Sequence, residues 1–335
     1  MSLEHDPIKP WFKTLEEMGE YVGIRFGQVD EKSGGVVWHD MLHSHYDGIG
    51  AFAKLLRDRG AHVGQLAKIP HAAPESWGPL IKNFSRLCVS EKRLGFDLGS
   101  KNGHIAEGKP PSALAWHVFT EAETLMIRKA ARYYGVSVNS MLLRHLNKCV
   151  SRSLEEPAKT LPWMIPVNLR GMVSHADETT NHSSFVCVNL KPSCSFSDVH
   201  DAIYQKLDEG QHWASWKLYG LGSMLSRSVK KKILASDRPS LQWNVGGFSN
   251  LGVWDSDGEM DSEDCKGPWL FSPPVLEFQR IGAGCVTFQN RMSLMIQVHP
   301  LLSGDKALPE KWMKDWVCDL QIDIASPTKE EKNFD

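Results

Sequence analysis

The amino-acid sequence predicts an α/β or α+β layered fold. Strand-like runs rich in Val, Ile and aromatic residues recur along the chain, segments with helical apolar spacing lie between them, and polar or glycine-rich turns separate the two. The chain has 335 residues, which is enough for one large domain or two moderate domains. In layered folds of this kind, functional side chains commonly lie where strands end and turn into helices.

The composition is typical of a water-soluble globular protein. Hydrophobic residues make up 41% of the chain and the formal net charge is −2, so we do not expect nucleic acid as the main partner. No apolar stretch approaches the roughly 20 residues needed to span a bilayer. The N-terminus lacks the apolar core of a signal peptide. Seven cysteines without a Cys-x-x-Cys pair indicate a reducing compartment. We therefore expect a cytoplasmic protein.

The first hundred residues predict a β-hairpin followed by a helix. Tyr21–Phe26 and Val36–Leu42 form the two strands, with a polar, glycine-containing turn between them. The helix runs from about Gly50 to Asp58, and Gly60 ends it. Residues 64–112 are rich in proline and glycine, so they are the best candidate for a linker between two halves of the chain.

The second half alternates helices with strands. Thr120 and Glu123 form the pattern of a capping box, which begins a helix that runs to Tyr134 and stops at Gly135. Further helices are expected at about 139–154, 198–234 (interrupted near Gly220 and Gly222) and 309–320. The segments with strand-like composition are 163–169, 185–190, 241–245, 276–280, 285–289 and 292–299, and residues 328–335 are expected to form a flexible tail.

Residues 43–48, His-Ser-His-Tyr-Asp-Gly, are the most informative motif, because they join a predicted strand to a predicted helix. One interpretation is acyl transfer, in which His43 is the general base that takes the proton of an attacking alcohol or amine. Asp47 would then form an ion pair that fixes the loop, and Gly48 would allow the tight turn.

Two other interpretations of the same residues stay open. His43, His45 and Asp47 stand at alternate positions and resemble the metal ligands of a metallo-β-lactamase-type hydrolase. Gly48 replaces the next expected ligand, although His104 lies downstream. The histidines are also compatible with ordinary loop residues. The glycine patterns of serine hydrolases, P-loop proteins and Rossmann domains are absent.

Four segments of the chain carry a resemblance to a known superfamily. They are His-x-x-x-Asp-Gly at 43–48 with the helix-like run 49–56, Gly-Val-Ser-Val-Asn-Ser-Met-Leu-Leu at 135–143, Ile-Pro-Val-Asn-Leu-Arg-Gly at 165–171 with Asn-His-Ser-Ser at 181–184, and Ser-Asn-Leu-Gly at 249–252. Each segment is a weak signal alone, but their common order extends over about residues 20–325. Together they resemble the chloramphenicol acetyltransferase-like superfamily, which includes condensation domains, wax ester synthase-like enzymes and alcohol acetyltransferases.

The resemblance implies two α/β subdomains with mixed sheets and a tunnel between them, and His43 in mid-tunnel. Acyl-CoA, or a carrier-bound thioester, would be a co-substrate and not a tightly bound cofactor, and no metal is implied. Arg170 would pair with Asp47. The other expected roles are oxyanion stabilisation for Ser249 and Asn250, and substrate binding for Asn181, Trp38 and Tyr46.

The chain departs from the superfamily in its first half. Leu42 replaces the first of two histidines, the Asp-Phe-Gly-Trp-Gly segment of the plant enzymes is absent, and only 42 residues precede His43. We therefore expect an N-terminal subdomain over 1–100 that is either abbreviated or completed by another copy in a homo-oligomer, and a C-terminal acyltransferase-like subdomain over 101–327. A non-catalytic binding protein that retains the fold is the further alternative.

Overall fold

The computed structural model describes residues 6–68, 109–111, 113–154, 160–173, 177–235, 245–254 and 265–325. These residues form eight helices and nine strands, which are arranged in two sheets. None of the described helices has both the length and the apolar character needed to cross a bilayer.

The smaller sheet has three antiparallel strands in the order β2-β1-β7. Strands β1 (Gly23–Val29) and β2 (Val36–Leu42) form the hairpin that the sequence predicts, with Gly23 opposite Leu42. Strand β7 (Trp269–Ser272) comes from the far end of the chain and pairs with the other edge of β1. The two predicted subdomains therefore share a sheet.

The larger sheet has six strands in the order β3-β9-β8-β6-β4-β5. It mixes antiparallel pairs with the parallel pairs β4–β6 and β6–β8. Its strands are β3 (Leu114–Val118), β4 (Leu161–Asn168), β5 (Ser183–Leu190), β6 (Gly246–Trp254), β8 (Ile281–Phe288) and β9 (Arg291–Val298). The predicted hairpin near residue 290 is confirmed, because Gln289 and Asn290 both have positive φ.

Several helices begin at the caps that the sequence indicates. The Thr120–Glu123 capping box is present, and Gly135 has a φ of +65° just beyond the helix it ends. The helices are α1 (Lys9–Glu16), α2 (Gly48–Arg57), α3 (Glu121–Tyr133), α4 (Val138–Ser151), α5 (Phe196–Asp208), α6 (Gln211–Ser223), α7 (Arg227–Leu234) and α8 (Ala307–Ala325).

The main apolar core lies between the six-stranded sheet and helices α3, α4, α5 and α8. Its largest buried side chains include Trp163, Trp312 and Trp316, and each indole N–H donates to a protein oxygen. A second core joins α2 to the three-stranded sheet around Phe26, Phe52 and neighbouring aromatic rings. Helix α2, which follows the 43–48 motif, is thus held firmly on the small sheet.

One prediction about secondary structure is wrong. Residues 276–280 form a turn and not a strand, in which the backbones of Leu276 and Gln279 bond each other. The predicted interruption of the helical region near Gly220 and Gly222 is confirmed, because α6 ends at Ser223 and residues 224–226 separate it from α7. A Cβ on Gly222 would clash with the indole of Trp11, so this glycine serves close packing. A second break, which was not predicted, lies at Gly210, with a φ of +69°.

Some predictions concern residues that the structure does not describe. They are most of the 64–112 linker with His104, the boundary between residues 100 and 101, residues 241–244 of one predicted strand, and the tail at 328–335. Helix α1 and strands β3, β6 and β7 were not predicted as elements at these positions.

Candidate active site

His43 lies directly after β2, in the turn that leads to α2. Its Nδ1 is 2.8 Å from the carbonyl oxygen of Tyr46. A carbonyl has no hydrogen to donate, so Nδ1 carries the proton in this contact. The lone pair of the neutral ring therefore lies on Nε2, and His43 is positioned to accept a proton there.

Asn181 is the second polar neighbour of His43. Its Nδ2 is 3.4 Å from His43 Nδ1, which is longer than the contact with Tyr46. The other amide atom, Oδ1, accepts hydrogen bonds from the backbone N–H and the hydroxyl of Ser183, which fixes the orientation of the amide. Asn181 thus lies at the Nδ1 edge of the His43 ring, where Tyr46 also bonds, and not at the Nε2 edge.

Phe12 of α1 covers one face of the His43 ring. The two ring centroids are 4.1 Å apart and the planes are inclined by 21°, a stacked arrangement. Burial lowers the pKa of His43 below its ordinary value, although the Tyr46 carbonyl and the charge of Asp47 oppose the shift. His43 is therefore neutral near pH 7, as a general base must be.

Asp47 is the N-cap of α2 and is almost completely buried. Its Oδ1 accepts from Gly50 N at 2.8 Å and from Arg170 Nη2 at 2.7 Å, while Oδ2 accepts from His182 N at 2.8 Å. Both side chains of the ion pair are 3% exposed. The pair connects the turn that carries His43 to the segment between β4 and β5.

The guanidinium of Arg170 is bonded on several sides. Besides Asp47, it donates to Asn168 Oδ1 and to the backbone carbonyls of Glu178 and Thr180. This planar network fixes the group in one orientation and satisfies a buried charge. Asp47 and Arg170 do not line the cavity beside His43, so they act by positioning the turn.

The three candidate metal ligands, His43, His45 and Asp47, are not gathered at one point. Asp47 is occupied by Arg170 and two backbone N–H groups, and His43 Nδ1 by Tyr46 O. His45 is exposed. Across the described parts of the chain, no three His, Cys, Asp or Glu side chains are placed to hold a metal ion.

Ser249 and Asn250 are not brought to His43. Asn250 Nδ2 donates to Asn139 Oδ1 at 2.6 Å, and its Oδ1 accepts from Gly252 N at 2.8 Å. Neither Ser249 nor Asn250 lines the cavity that contains His43. In this placement the Asn250 amide caps its own turn and contacts the N-terminal part of α4, and its oxyanion role stays a prediction.

Trp38 and Tyr46, which were expected to bind substrate, also lie outside the cavity wall. Trp38 packs in a satellite core of the small sheet, where Arg25 lies over its ring at 5.5 Å. Tyr46 packs against the core beneath α2, and its backbone carbonyl bonds to His43.

His43 opens into a cavity of about 520 Å³. Elements from both predicted halves of the chain form it: α1 on one side, and β4, β5, α6, α7 and residues 273–279 on the others. Its volume lies within the range of about 300–1,000 Å³ of small-molecule sites. The residues that line it include His43, Phe12, Ser183 and Gln279.

Helix α1, which supplies much of this wall, was not predicted from the sequence. Ile8, Trp11, Phe12 and Leu15 all line the cavity. Their spacing of three, four and seven residues is the signal of an amphipathic helix, and Pro10 near the start is a typical first-turn residue. The contact with His43, 31 positions further on, has no local sequence signal.

Comparisons with known proteins give matches only among solved structures; no protein-family model and no curated protein matches the chain. The chain is similar to the epimerization domain from the third module of tyrocidine synthetase B, at 12% identity and a TM-score of 0.50. The alignment covers 86% of this chain and 69% of that one.

Two further structures are similar over the same share of this chain, 86%. Polyketide synthase associated protein 5 from Mycobacterium tuberculosis has 14% identity, a TM-score of 0.51 and 74% of its own chain covered. TRI3 trichothecene 15-O-acetyltransferase from Fusarium sporotrichioides has 11% identity, a TM-score of 0.55 and 65% covered. At these identities the similarity shows the fold alone, which is the chloramphenicol acetyltransferase-like α/β fold that the sequence motifs predicted.

Proposed function

We propose that this protein is an acyltransferase that moves an acyl group from a thioester, acyl-CoA or a carrier-bound acyl group, to a hydroxyl or amine acceptor. The placement of His43 carries this proposal: its Nδ1 proton is held by the Tyr46 carbonyl, and its ring borders a cavity large enough for a substrate. The name of the similar TRI3 protein, a 15-O-acetyltransferase, supports the class of reaction.

The reaction begins when Nε2 of neutral His43 takes the proton of the acceptor hydroxyl or amine. The acceptor atom forms a bond to the thioester carbonyl carbon, and the carbonyl electrons move to its oxygen. When this tetrahedral species collapses, the carbon–sulfur bond breaks. The imidazolium then returns its proton to the leaving thiolate, so the products are the acylated acceptor and a free thiol.

The surroundings of His43 favour this proton transfer. The backbone carbonyl of Tyr46 holds the tautomer with Nε2 free, and it also stabilises the imidazolium that forms when the proton is accepted. Burial and the Phe12 stack keep the resting ring neutral. The Asp47–Arg170 pair fixes the turn on which His43 lies.

A thiol-release assay with acyl-CoA donors and small alcohol or amine acceptors tests the proposal. His43→Ala should lower turnover by about 10²–10⁴, the usual contribution of a general base. His45→Ala is the matched control, since His45 is two residues away and exposed, and it should leave turnover unchanged. Equal activity of His43→Ala and the wild type would refute the mechanism. A loss in His45→Ala equal to that in His43→Ala would favour the metal interpretation instead.

A further inference from the structure

The wall of the cavity beside His43 carries no charge. None of the described residues that line it is a lysine, arginine, aspartate or glutamate. A phosphate, carboxylate or ammonium group would lose its hydration there without gaining a partner of opposite charge, which is costly. The cavity is thus unsuited to the nucleotide portion of a CoA thioester or to a charged acceptor.

The serine hydroxyl groups of the wall are already used by the protein. Ser184 Oγ donates to the His212 carbonyl, Ser215 Oγ donates to the Gln211 carbonyl, and Ser183 Oγ donates to Asn181 Oδ1. A buried donor that is already paired gives little binding energy to a ligand. The polar side-chain groups left to meet a ligand are few and uncharged: the Nε2 edge of His43, the Tyr219 hydroxyl and the Gln279 amide.

The remaining wall is aliphatic and aromatic and continues to the surface along α6 and the turn before α7. Leu218, Leu221 and Leu225 line the cavity and are nevertheless 40%, 47% and 39% exposed. Beside them, Met224 is 71% exposed. These four residues, called the entrance patch here, form an apolar surface that is continuous with the cavity.

We infer that the cavity binds an extended, uncharged apolar group of the substrate, such as an alkyl chain, with the reacting polar atom at His43 and the chain directed toward the entrance patch. The inference rests on the proposed function and adds the substrate class to it. The apolar group has two possible sources, the acyl chain of the donor or the body of the acceptor, and the same wall chemistry recognises both.

Calorimetric titration of the full chain with two homologous series distinguishes the sources. One series is 1-hexanol, 1-octanol and 1-decanol; the other is butyryl-, octanoyl- and decanoyl-CoA, each below its micelle concentration and without a co-substrate. In the series that enters the cavity, Kd should fall by about fourfold for each added methylene, since burying one contributes about 0.8 kcal/mol. An absence of chain-length dependence in both series would overturn the inference.

A matched pair of variants excludes general hydrophobic adsorption. Leu221 in the entrance patch and Leu125 on α3 are 47% and 53% exposed, but only Leu221 lines the cavity. Leu221→Asp should weaken binding of the decyl probe by at least tenfold, and Leu125→Asp should not change it. Leu218→Trp adds volume at the opening. It should weaken binding of the decyl probe more than binding of the shortest probe in its series. Equal binding by Leu221→Asp and Leu125→Asp would overturn the inference.

The outcomes also separate this inference from the proposed function. Chain-dependent binding without thiol release from any donor would refute acyl transfer and leave the apolar site in place. Thiol release from acetyl-CoA without chain-dependent binding would leave acyl transfer in place and refute the apolar site.

Discussion

Replacing Asp47 by Asn should destabilise the protein by about 3–5 kcal/mol, the cost of breaking a buried ion pair by removing one partner. In the wild type, the two carboxylate oxygens accept three hydrogen bonds of 2.7–2.8 Å, from Arg170 and from the backbone N–H groups of Gly50 and His182. An asparagine has only one oxygen. Its amide nitrogen must face either the guanidinium or the His182 N–H, so one donor is set against another.

The magnitude follows from burial. Asp47 and Arg170 are each 3% exposed, so water cannot replace the lost acceptor. The charge of Arg170 stays in the interior without its carboxylate partner, and the neutral carbonyl groups around it compensate only in part. This places the expected cost well above that of a surface ion pair.

Equilibrium unfolding in urea, followed by tryptophan fluorescence and circular dichroism, measures the effect. Asp58→Asn is the matched control, because it makes the same chemical change in the Lys54–Asp58 pair at the other end of α2, where the side chains are 38% and 56% exposed. Water and salt screen that exposed pair, so its loss should change stability far less than the loss of the buried pair. If Asp47→Asn costs no more than Asp58→Asn, the assignment of Asp47 as a buried organiser of the turn is wrong.

Two further predictions concern the proposed base, His43, and the oxyanion donor expected from the sequence, Asn250. Phe12→Ala should admit water to the His43 ring and raise the pKa of that ring. Because the neutral ring is the active form, the acid limb of the profile of kcat/KM against pH should move to higher pH. Leu15→Ala, on the same helix but not stacked on the ring, should leave that limb in place. Asn250→Ala should cost about 1 kcal/mol of stability through its lost hydrogen bond to Asn139 and leave kcat nearly unchanged. A fall of about 10²–10³ in kcat would instead show an oxyanion donor.

The elements with strong local signals could be predicted from the sequence. The β1–β2 hairpin follows from two runs of strand-forming residues around a polar turn, and α3 follows from the Thr120–Glu123 capping box. Strand β7 gave no such signal, since all four of its residues are buried and show no alternation. The turn at 276–280 has the apolar composition of a strand because its apolar side chains line the cavity.

The candidate site could be predicted in part. The sequence indicated His43 and the connection of Asp47 to Arg170, because both belong to short motifs with a fixed order. It did not indicate Phe12, whose role depends on a tertiary contact. Asn250 was expected near His43 because its motif resembles the superfamily's Ser-Asn segment on a late strand. In the structure a bulge lies between residues 250 and 253, and the Asn250 amide bonds to Asn139.

The contact that fixes the His43 turn joins residues 123 positions apart, and the indole of Trp11 donates to the carbonyl of Tyr219 over 208 positions. Closing loops of this length costs entropy before any contact is gained, so such pairings form late in folding. The hairpin and α2 can form from local contacts, whereas the cavity beside His43 is lined by residues that lie between Ile8 and Gln279. During refolding, burial of the His43 ring should therefore return later than secondary structure. Recovery of the site then reports completion of the whole fold.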